Sequence, residues 1–395
     1  MNSLSTFSFE LPTRIEYGIG AVEKLADELE LRNVKNVMLI TDVRLASSGL
    51  LSRFTTHLGV KRISYDVFTR VEANPKDYNV EEGAQKAAFL KPDCLVAIGG
   101  GSSIDCAKAI SVVAPGGGRV QDYVGKGQIT GDVLPLIAIP TTAGSGSEVT
   151  FSAVITDSQQ HSKFSLKDPK IAPRVAIVDP ELTRSMPPAL TAATGMDALT
   201  HAIEAYTAKA SEPMADAAAL YAVEMIFRHL KSAVSDGQNL EARSGMLLGS
   251  VLAAIAFSHS DVAAVHCIAE ALGGKYDLPH GVCNAVVLPA IMDYNLDFCA
   301  EKYARIARAM GFNDRNVHRR AQKAVAAVKK LASDVNLPRF NELGVREADF
   351  DELARNSAAN GSNSGNPRFM DKDDYLQIFS ILSATTESAA GAKRS

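Results

Sequence analysis

The first half of the chain alternates short apolar runs with helix-patterned segments, and at Pro187-Pro188 that alternation stops. The runs are VKNVMLIT (34–41), DCLVAIGG (93–100), LPLIAIP (134–140) and RVAIVD (174–179). Short, β-branched and bounded by Gly, Pro and Asp, they predict strands buried on both faces, hence a parallel sheet. Between them, NVEEGAQKAAFL and SIDCAKAISVV carry helical spacing, and strand then helix, repeated, predicts a doubly wound α/β layer. VTFSAVITD, the polar turn SQQ and HSKFSL predict a hairpin near residue 150. From Thr191 onward the segments are Ala- and Leu-rich with a 3.6-residue period, among them ATGMDALTHAIEAYTAKA, MADAAALYAVEMIFRHL, ARSGMLLGSVLAAIAFSHSDVAAVHCIAEALGG and FCAEKYARIARAM. They predict an all-helical second domain. ANGSNSGNPRF (359–369) reads as a polar surface loop, and the terminal AAGAKRS (389–395) as a fraying end.

At about 150 residues per domain, 395 residues suit two domains. The expected division is 1–185 for the α/β domain and 186–395 for the helical one. Forty-one basic against forty-five acidic side chains give a net charge of −4, which leaves no basic excess for a phosphate backbone and predicts no nucleic-acid partner. No run of ~18 apolar residues predicts a membrane span. The N-terminus has no basic segment followed by an apolar stretch, so no secretory signal is read. Cys94, Cys106, Cys267, Cys283 and Cys299 are odd in number and form no CxxC pair. They read as reduced thiols in a cytoplasmic protein.

Gly99-Gly100-Gly101-Ser102-Ser103 follows a strand run and opens a helical one. Glycines there let backbone approach a pyrophosphate, and the free N–H groups of the helix start donate to its oxygens. A tight strand-to-helix turn is the plainer reading of this loop alone, since the spacing is not GxGxxG. A second loop, Pro140-Thr141-Thr142-Ala143-Gly144-Ser145-Gly146-Ser147-Glu148, follows the next strand run. Two such loops at strand C-terminal ends would line one crevice, where open α/β sheets bind nucleotides. Asp42 ends an early strand, where a carboxylate accepts ribose hydroxyls and repels a 2′-phosphate, favouring NAD. The alternative is an Asp capping the following turn, and Arg44 nearby is able to pair with that phosphate.

In the second half, Asp197 and His201 are four apart, on one face of one helix. With His266 and His280 they make an O,N₃ set suited to a borderline divalent ion such as Fe²⁺ or Zn²⁺. His57, His161 and His229 read as ordinary surface or core residues, and Cys283 as core packing rather than a thiolate ligand.

GGGSSIDCAKAI, PTTAGSGSEVT, AIVDPELT, TGMDALTHAIEAYT and LPHGVCNAVVLPAIMDYN together resemble the iron-containing (group III) alcohol dehydrogenase family. The resemblance runs from PTRIEYGIGAVEKL to GNPRF, nearly the whole chain. It implies a dinucleotide-binding α/β domain, a helical domain and a metal in the cleft between them, the architecture also of dehydroquinate synthase. It implies that Asp197, His201, His266 and His280 hold the metal and that Asp42 selects NAD. It also implies that Gly99, Gly100, Gly101, Ser102, Thr141 and Thr142 line the cofactor loops, that Phe257 lies near the nicotinamide, and that the chain forms homodimers or larger homo-oligomers. The expected activity is hydride transfer between a small alcohol, diol or hydroxyacid and NAD, a divalent metal polarising the alcohol oxygen. A metal-free reductase resembling maleylacetate reductases, a sugar-phosphate cyclase and a non-enzymatic NAD- and metal-binding module are the alternatives.

Two positions depart from the family pattern. Glu270 stands where the second histidine of an HxxxH pair is usual, and His259 where asparagine usually follows AFS. If one helix runs from 259 to 270, both share the face of His266, and they are the expected catalytic residues; the alternative is a helix interrupted near Ser258–Asp261, which leaves His259 in a loop with no catalytic meaning.

Overall fold

Six parallel strands form the central sheet, and their order fixes where a ligand can enter. In the computed structural model, which describes residues 6–384, the strands are β1 (Arg14–Tyr17), β2 (Asn36–Ile40), β3 (Ser64–Phe68), β4 (Cys94–Gly99), β5 (Gly125–Lys126), β6 (Leu136–Pro140), β7 (Ser152–Asp157), β8 (Ser162–Lys167) and β9 (Val175–Val178). The sheet order is β1-β9-β6-β4-β2-β3. From β2 the chain steps outward to β3, then returns to β4 on the other side. That reversal is a topological switch point, and it opens a crevice between the carboxyl ends of β2 and β4. Asp42 and Gly99–Gly101 stand at those two ends.

The expected strands are β2, β4, β6 and β9, each almost wholly buried. Helices α1 (Leu25–Leu31), α2 (Val43–Ser47), α3 (Leu50–Val60), α4 (Asp77–Leu90) and α5 (Gly101–Gly116) complete this half. One apolar layer joins Val37, Leu39, Val96 and Ile98 to Leu25 and Phe54. The other joins Met38, Ile40, Leu95 and Ala97 to α4 and α5 through Val80, Ile104 and Ile110. Edge strands β1 (RIEY) and β3 (SYDVF) were not expected. Charged and exposed positions interrupt them, as suits strands with an unpaired side. The hairpin is present as antiparallel β7 and β8, with the Asp157 carboxylate taking the Gln159 and Gln160 N–H groups in its turn.

The second half is helical: α6 (Pro188–Thr207), α7 (Pro213–Ser235), α8 (Leu240–Ser260), α9 (Ala264–Tyr276), α10 (His280–Ala309), α11 (Val317–Asp334), α12 (Phe350–Ala359) and α13 (Lys372–Ala384). Among the described residues α8 alone is long and apolar enough to cross a membrane. It lies instead in the core against α6 and α7 through Met246, Leu247, Ala253 and Ala254. The terminal 389–395 lies outside the described residues.

One expectation fails here. The segment 242–274 is not one helix: α8 ends at Ser260, Asp261 takes φ +64°, and α9 begins at Ala264. The loop 359–369 lies at the surface as expected, but one residue anchors it. Asn366 is fully buried and exchanges amide hydrogen bonds with Asn295, and Gly365 packs against the carbonyl of Val262 in the break.

The halves meet where the loop after β6 presses on α6 and α8. Gly146 has φ +60°, and a Cβ there would lie 2.1 Å from the Ala254 Cβ and 3.0 Å from the Ser250 carbonyl. Gly146→Ala therefore combines a left-handed backbone with an overpacked contact. It is expected to lower unfolding free energy by about 1–3 kcal/mol, read as a lower denaturation midpoint at unchanged slope.

Candidate active site

The two glycine- and hydroxyl-rich loops fit into each other. A Cβ at Gly99 would meet Ser103 Oγ at 2.4 Å, one at Gly100 would meet Thr142 Oγ1 at 3.1 Å, and one at Gly101 would meet Ser145 Oγ at 2.5 Å. Thr141 N–H donates to the Gly99 carbonyl at 2.9 Å. Only glycine admits this approach, at Gly99 with φ +152°. No side chain caps the first turn of α5 and no acid sits in it; the Ser103 and Ile104 N–H groups bond the Gly100 carbonyl, which leaves the Gly101 and Ser102 N–H groups and the positive dipole end at the crevice without a side-chain acceptor. Asp42 caps α2, its Oδ1 accepting from Leu45 N–H at 2.9 Å. That is the capping role weighed above, and it leaves the residue at the end of β2. Arg44 is exposed.

Buried charges pin the second loop from below, and nothing in the sequence reading singled them out. Lys108 on α5 donates to Thr150 Oγ1 and the Ser152 carbonyl, both at 2.8 Å. Asp105 accepts from Ser147 Oγ and from Val154 N–H. Burial pushes the Lys108 ammonium down to about 8 and the Glu148 carboxyl up to about 7, each drawn back in part by the other's charge.

Asp197, His201, His266 and His280 come together. Their candidate ligand atoms all lie within 4.8 Å of one another. Asp197 and His201 are one turn apart on α6, His266 lies on α9, and His280 opens α10. Gly281 allows α10 to start so close to α6, since a Cβ there would meet the Ala193 carbonyl at 2.5 Å. The rings of His201 and His266 stack at 4.7 Å, and that of Phe257 stacks on His201 at 4.4 Å.

Burial drives the His201 imidazole down to about 4 and holds His280 well below the ordinary histidine range, so both are neutral with a free lone pair. Burial would raise Asp197, but His201, His280, His266 and the Asn284 amide outweigh it and hold the carboxyl below its usual value. His266 differs: burial lowers it, and Glu204 more than reverses that. His201 Nδ1 and His280 Nδ1 are buried without a hydrogen-bond partner. Three imidazoles and one carboxylate, buried and converging, fit a divalent cation.

Glu204 is the functional residue the sequence reading missed. Its buried carboxylate takes His266 Nδ1–H at 2.6 Å, Ala263 N–H at 2.9 Å and Val265 N–H at 2.7 Å. This fixes the tautomer that turns Nε2 of His266 to the other ligands. A signal was present, because 197, 201 and 204 fall on one helical face.

The two departures separate. Glu270, one turn beyond His266, stays beside the centre: its Oε2 accepts from Asn360 Nδ2 at 2.6 Å, and its charge acts on His266 and on Lys163 of β8. His259 does not share that face, because the break at Asp261 turns α9 away from the line of α8. Its ring bonds the Ile255 carbonyl at 2.8 Å and the Glu10 backbone, and stacks on Phe9 at 4.1 Å. Cys283 packs in the core, burial pushing its thiol up to about 12.

Comparison with known proteins shows the family. The iron-containing alcohol dehydrogenase profile matches residues 12–180, and the C-terminal profile of the Fe-containing alcohol dehydrogenase family matches residues 191–383. The chain is 39% identical to the NAD-dependent methanol dehydrogenase of Bacillus methanolicus, over 94% of this chain and 98% of that one. It is 40% identical to the 1,3-propanediol dehydrogenase of Klebsiella pneumoniae, over 95% and 99%. The crystal structure of a 1,3-propanediol oxidoreductase superimposes with a TM-score of 0.93 at 39% identity, covering 96% of this chain and all of that one. With profile matches over both halves and relatives aligned nearly end to end, the chain belongs to the iron-containing alcohol dehydrogenase family.

Proposed function

We propose that the protein interconverts a small alcohol or diol and its carbonyl compound, with NAD as hydride carrier and a divalent ion, Fe²⁺ by preference, held by Asp197, His201, His266 and His280. The observation that carries this is the buried O,N₃ set on helices that the glycine-rich loops themselves touch: Gly144 packs on Thr194, one turn before Asp197. When bound, the ion supplies Lewis-acid polarisation of the substrate oxygen, and the cofactor supplies the hydride chemistry.

The chain's own groups do the rest. Gly99–Ser102 with Thr141 and Thr142 receive the pyrophosphate, and Asp42 the adenosine ribose. Phe257, flat against His201, is the aromatic surface for the nicotinamide. Glu204 keeps the proton on His266 Nδ1. Glu270, its Oε2 held by Asn360, is the carboxylate placed to take up or return the hydroxyl proton. The protein acts in the cytoplasm as a homo-oligomer. Metal analysis coupled to an NADH-linked screen of short alcohols, diols and hydroxyacids tests the whole reading. Steady NADH accumulation supports it, and bound cofactor without turnover across the panel overturns it.

Asp197→Ala and His280→Ala are each expected to lose the ion and at least about a hundredfold in kcat/KM, the loss of several kcal/mol of charge stabilisation. Their melting temperatures in metal-supplemented buffer fall by several degrees, because the ion clamps three helices. Wild-type turnover of either variant after chelation sinks the assignment.

Asp42→Gly removes both a ribose acceptor and the repulsion of a 2′-phosphate, so the NADP-to-NAD ratio of kcat/KM rises. Glycine also serves as an N-cap, so α2 loses only a few tenths of a kcal/mol. Glu270→Gln keeps size and the Asn360 contact while removing the proton acceptor. We expect a lower kcat and a displaced pH profile at unchanged metal content; an unaltered profile makes Glu270 structural.

A further inference from the structure

A fifth side chain reaches into the O,N₃ cluster. Asn284 lies on α10 one turn beyond His280 and is fully buried. Its Nδ2 stands 2.6 Å from Asp197 Oδ1, 3.1 Å from His266 Nε2 and 3.2 Å from His280 Nε2. Three of the four ligand residues therefore converge on one amide nitrogen. Its Oδ1 is buried with no hydrogen-bond partner. Glu204 holds the His266 proton on Nδ1, so Nε2 of that ring is an acceptor, as is the Asp197 carboxylate.

An amide NH₂ carries two protons and makes a sensible partner for converged lone pairs. It makes a poor one for a cation, because both N–H dipoles present their positive ends to the place where the lone pairs point. The carboxamide is nearly isosteric about its Cβ–Cγ bond. A half-turn exchanges Nδ2 for the partnerless Oδ1 without displacing any neighbour by more than the small difference between the two groups.

We infer that Asn284 belongs to the metal centre and works in two orientations. Through Nδ2 it holds the ligand lone pairs together when no ion is present. Through Oδ1 it adds an oxygen donor when one is. The inference rests on the metal reading of the four ligands and deepens it, because the added oxygen sets which ion the site prefers. An O,N₃ set closes a tetrahedron and suits Zn²⁺. A second oxygen favours ions that accept higher coordination and oxygen ligands, Fe²⁺ and Co²⁺ among them.

The test uses the full-length protein stripped by chelation and titrated with Co²⁺, Zn²⁺ and, without oxygen, Fe²⁺. Asn284→Leu is expected to give the intense visible bands of tetrahedral Co²⁺ where the wild type gives weak bands of higher coordination. Its Fe²⁺-to-Zn²⁺ affinity ratio falls roughly ten- to a hundredfold, the range for losing a group that supports a metal site. Asn284→Asp keeps an oxygen and loses the NH₂. It retains the wild-type Co²⁺ spectrum, while its metal-free form melts several degrees lower, two carboxylates now facing each other, and recovers on adding ion. This second variant answers the question if the leucine protein does not fold. Identical Co²⁺ spectra and affinity ratios in wild type and variants overturn the role of Asn284 and leave the four-ligand reading standing. Failure of the wild type to bind any of the three ions overturns both.

Discussion

The carboxylate of Glu204 is the interaction on which the site depends. A buried carboxylate costs several kcal/mol unless hydrogen bonds replace its water. Glu204 finds its three donors in one stretch of chain, at Ala263, Val265 and His266. Two are amides at the start of α9 that have no partner within the helix and no side-chain cap of their own. The third is the ring of His266, one of the four side chains whose ligand atoms converge. One residue on α6 thus starts a helix on another element and orients His266 toward Asp197 and His201, its own neighbours by seven and three positions. The break in the helix, the cap and the ligand geometry are one feature.

Close approach enabled by glycine carries that geometry to the nucleotide crevice. Gly99 and Gly101 admit Ser103 and Ser145, and Gly144 and Gly146 of the second loop admit Thr194 on α6 and Ala254 on α8. The crevice and the ligand helices are therefore in van der Waals register, with no spacer between them. Lys108, Asp105 and Glu148 stiffen the same loop from the sheet side. The charges of Lys108 and Asp105 are tolerated because Thr150, Ser147 and the Ser152 and Val154 backbone groups answer them, whereas Glu148 Oε1 has no such partner and burial pushes that carboxyl up to about 7. Hydride transfer asks for reacting atoms held at fixed separation, and rigid contact between these two surfaces serves that need.

What the sequence disclosed follows from the same physics. Strands β2, β4, β6 and β9 were legible because both faces are buried and the runs are uniformly apolar. Strands β1 and β3 were hidden because an edge strand carries charges on its open side. Asp197 and His201 were legible by their i,i+4 spacing. His266 and His280 came from the motifs around them, since nothing in the spacing of separate helices says they converge. The break after α8 stood only as the alternative of an interruption near Ser258–Asp261, because SHSD contains neither Gly nor Pro to demand it; Asp261 takes its positive φ under tertiary contacts, its carboxylate meeting Lys167, Ser362 and the Val262 N–H. Periodicity carried through that break put His259 and Glu270 on one face, and the fold does not.

With the break in place, the two departures from the family pattern do different physical work. His259 faces away from the ligands and holds the backbone at Glu10, sandwiched with Phe9 and edged by Phe151 of the segment leading into β7. It fastens the start of the chain to the joint between the two halves. Glu270 brings a negative charge to a cleft that already contains Asp197, and two neighbours make that tolerable. Asn360 donates to it from the loop that packs over the break. Lys163, held by Asn74 at 2.9 Å and lying against Gly273, supplies an opposing charge from the hairpin of the other half. A neutral histidine at 270 would leave Lys163 without that opposing charge. A glutamate there sets a negative charge on α9 against the Lys163 ammonium of the hairpin, so the substitution changes the electrostatics between the two halves beside the O,N₃ cluster.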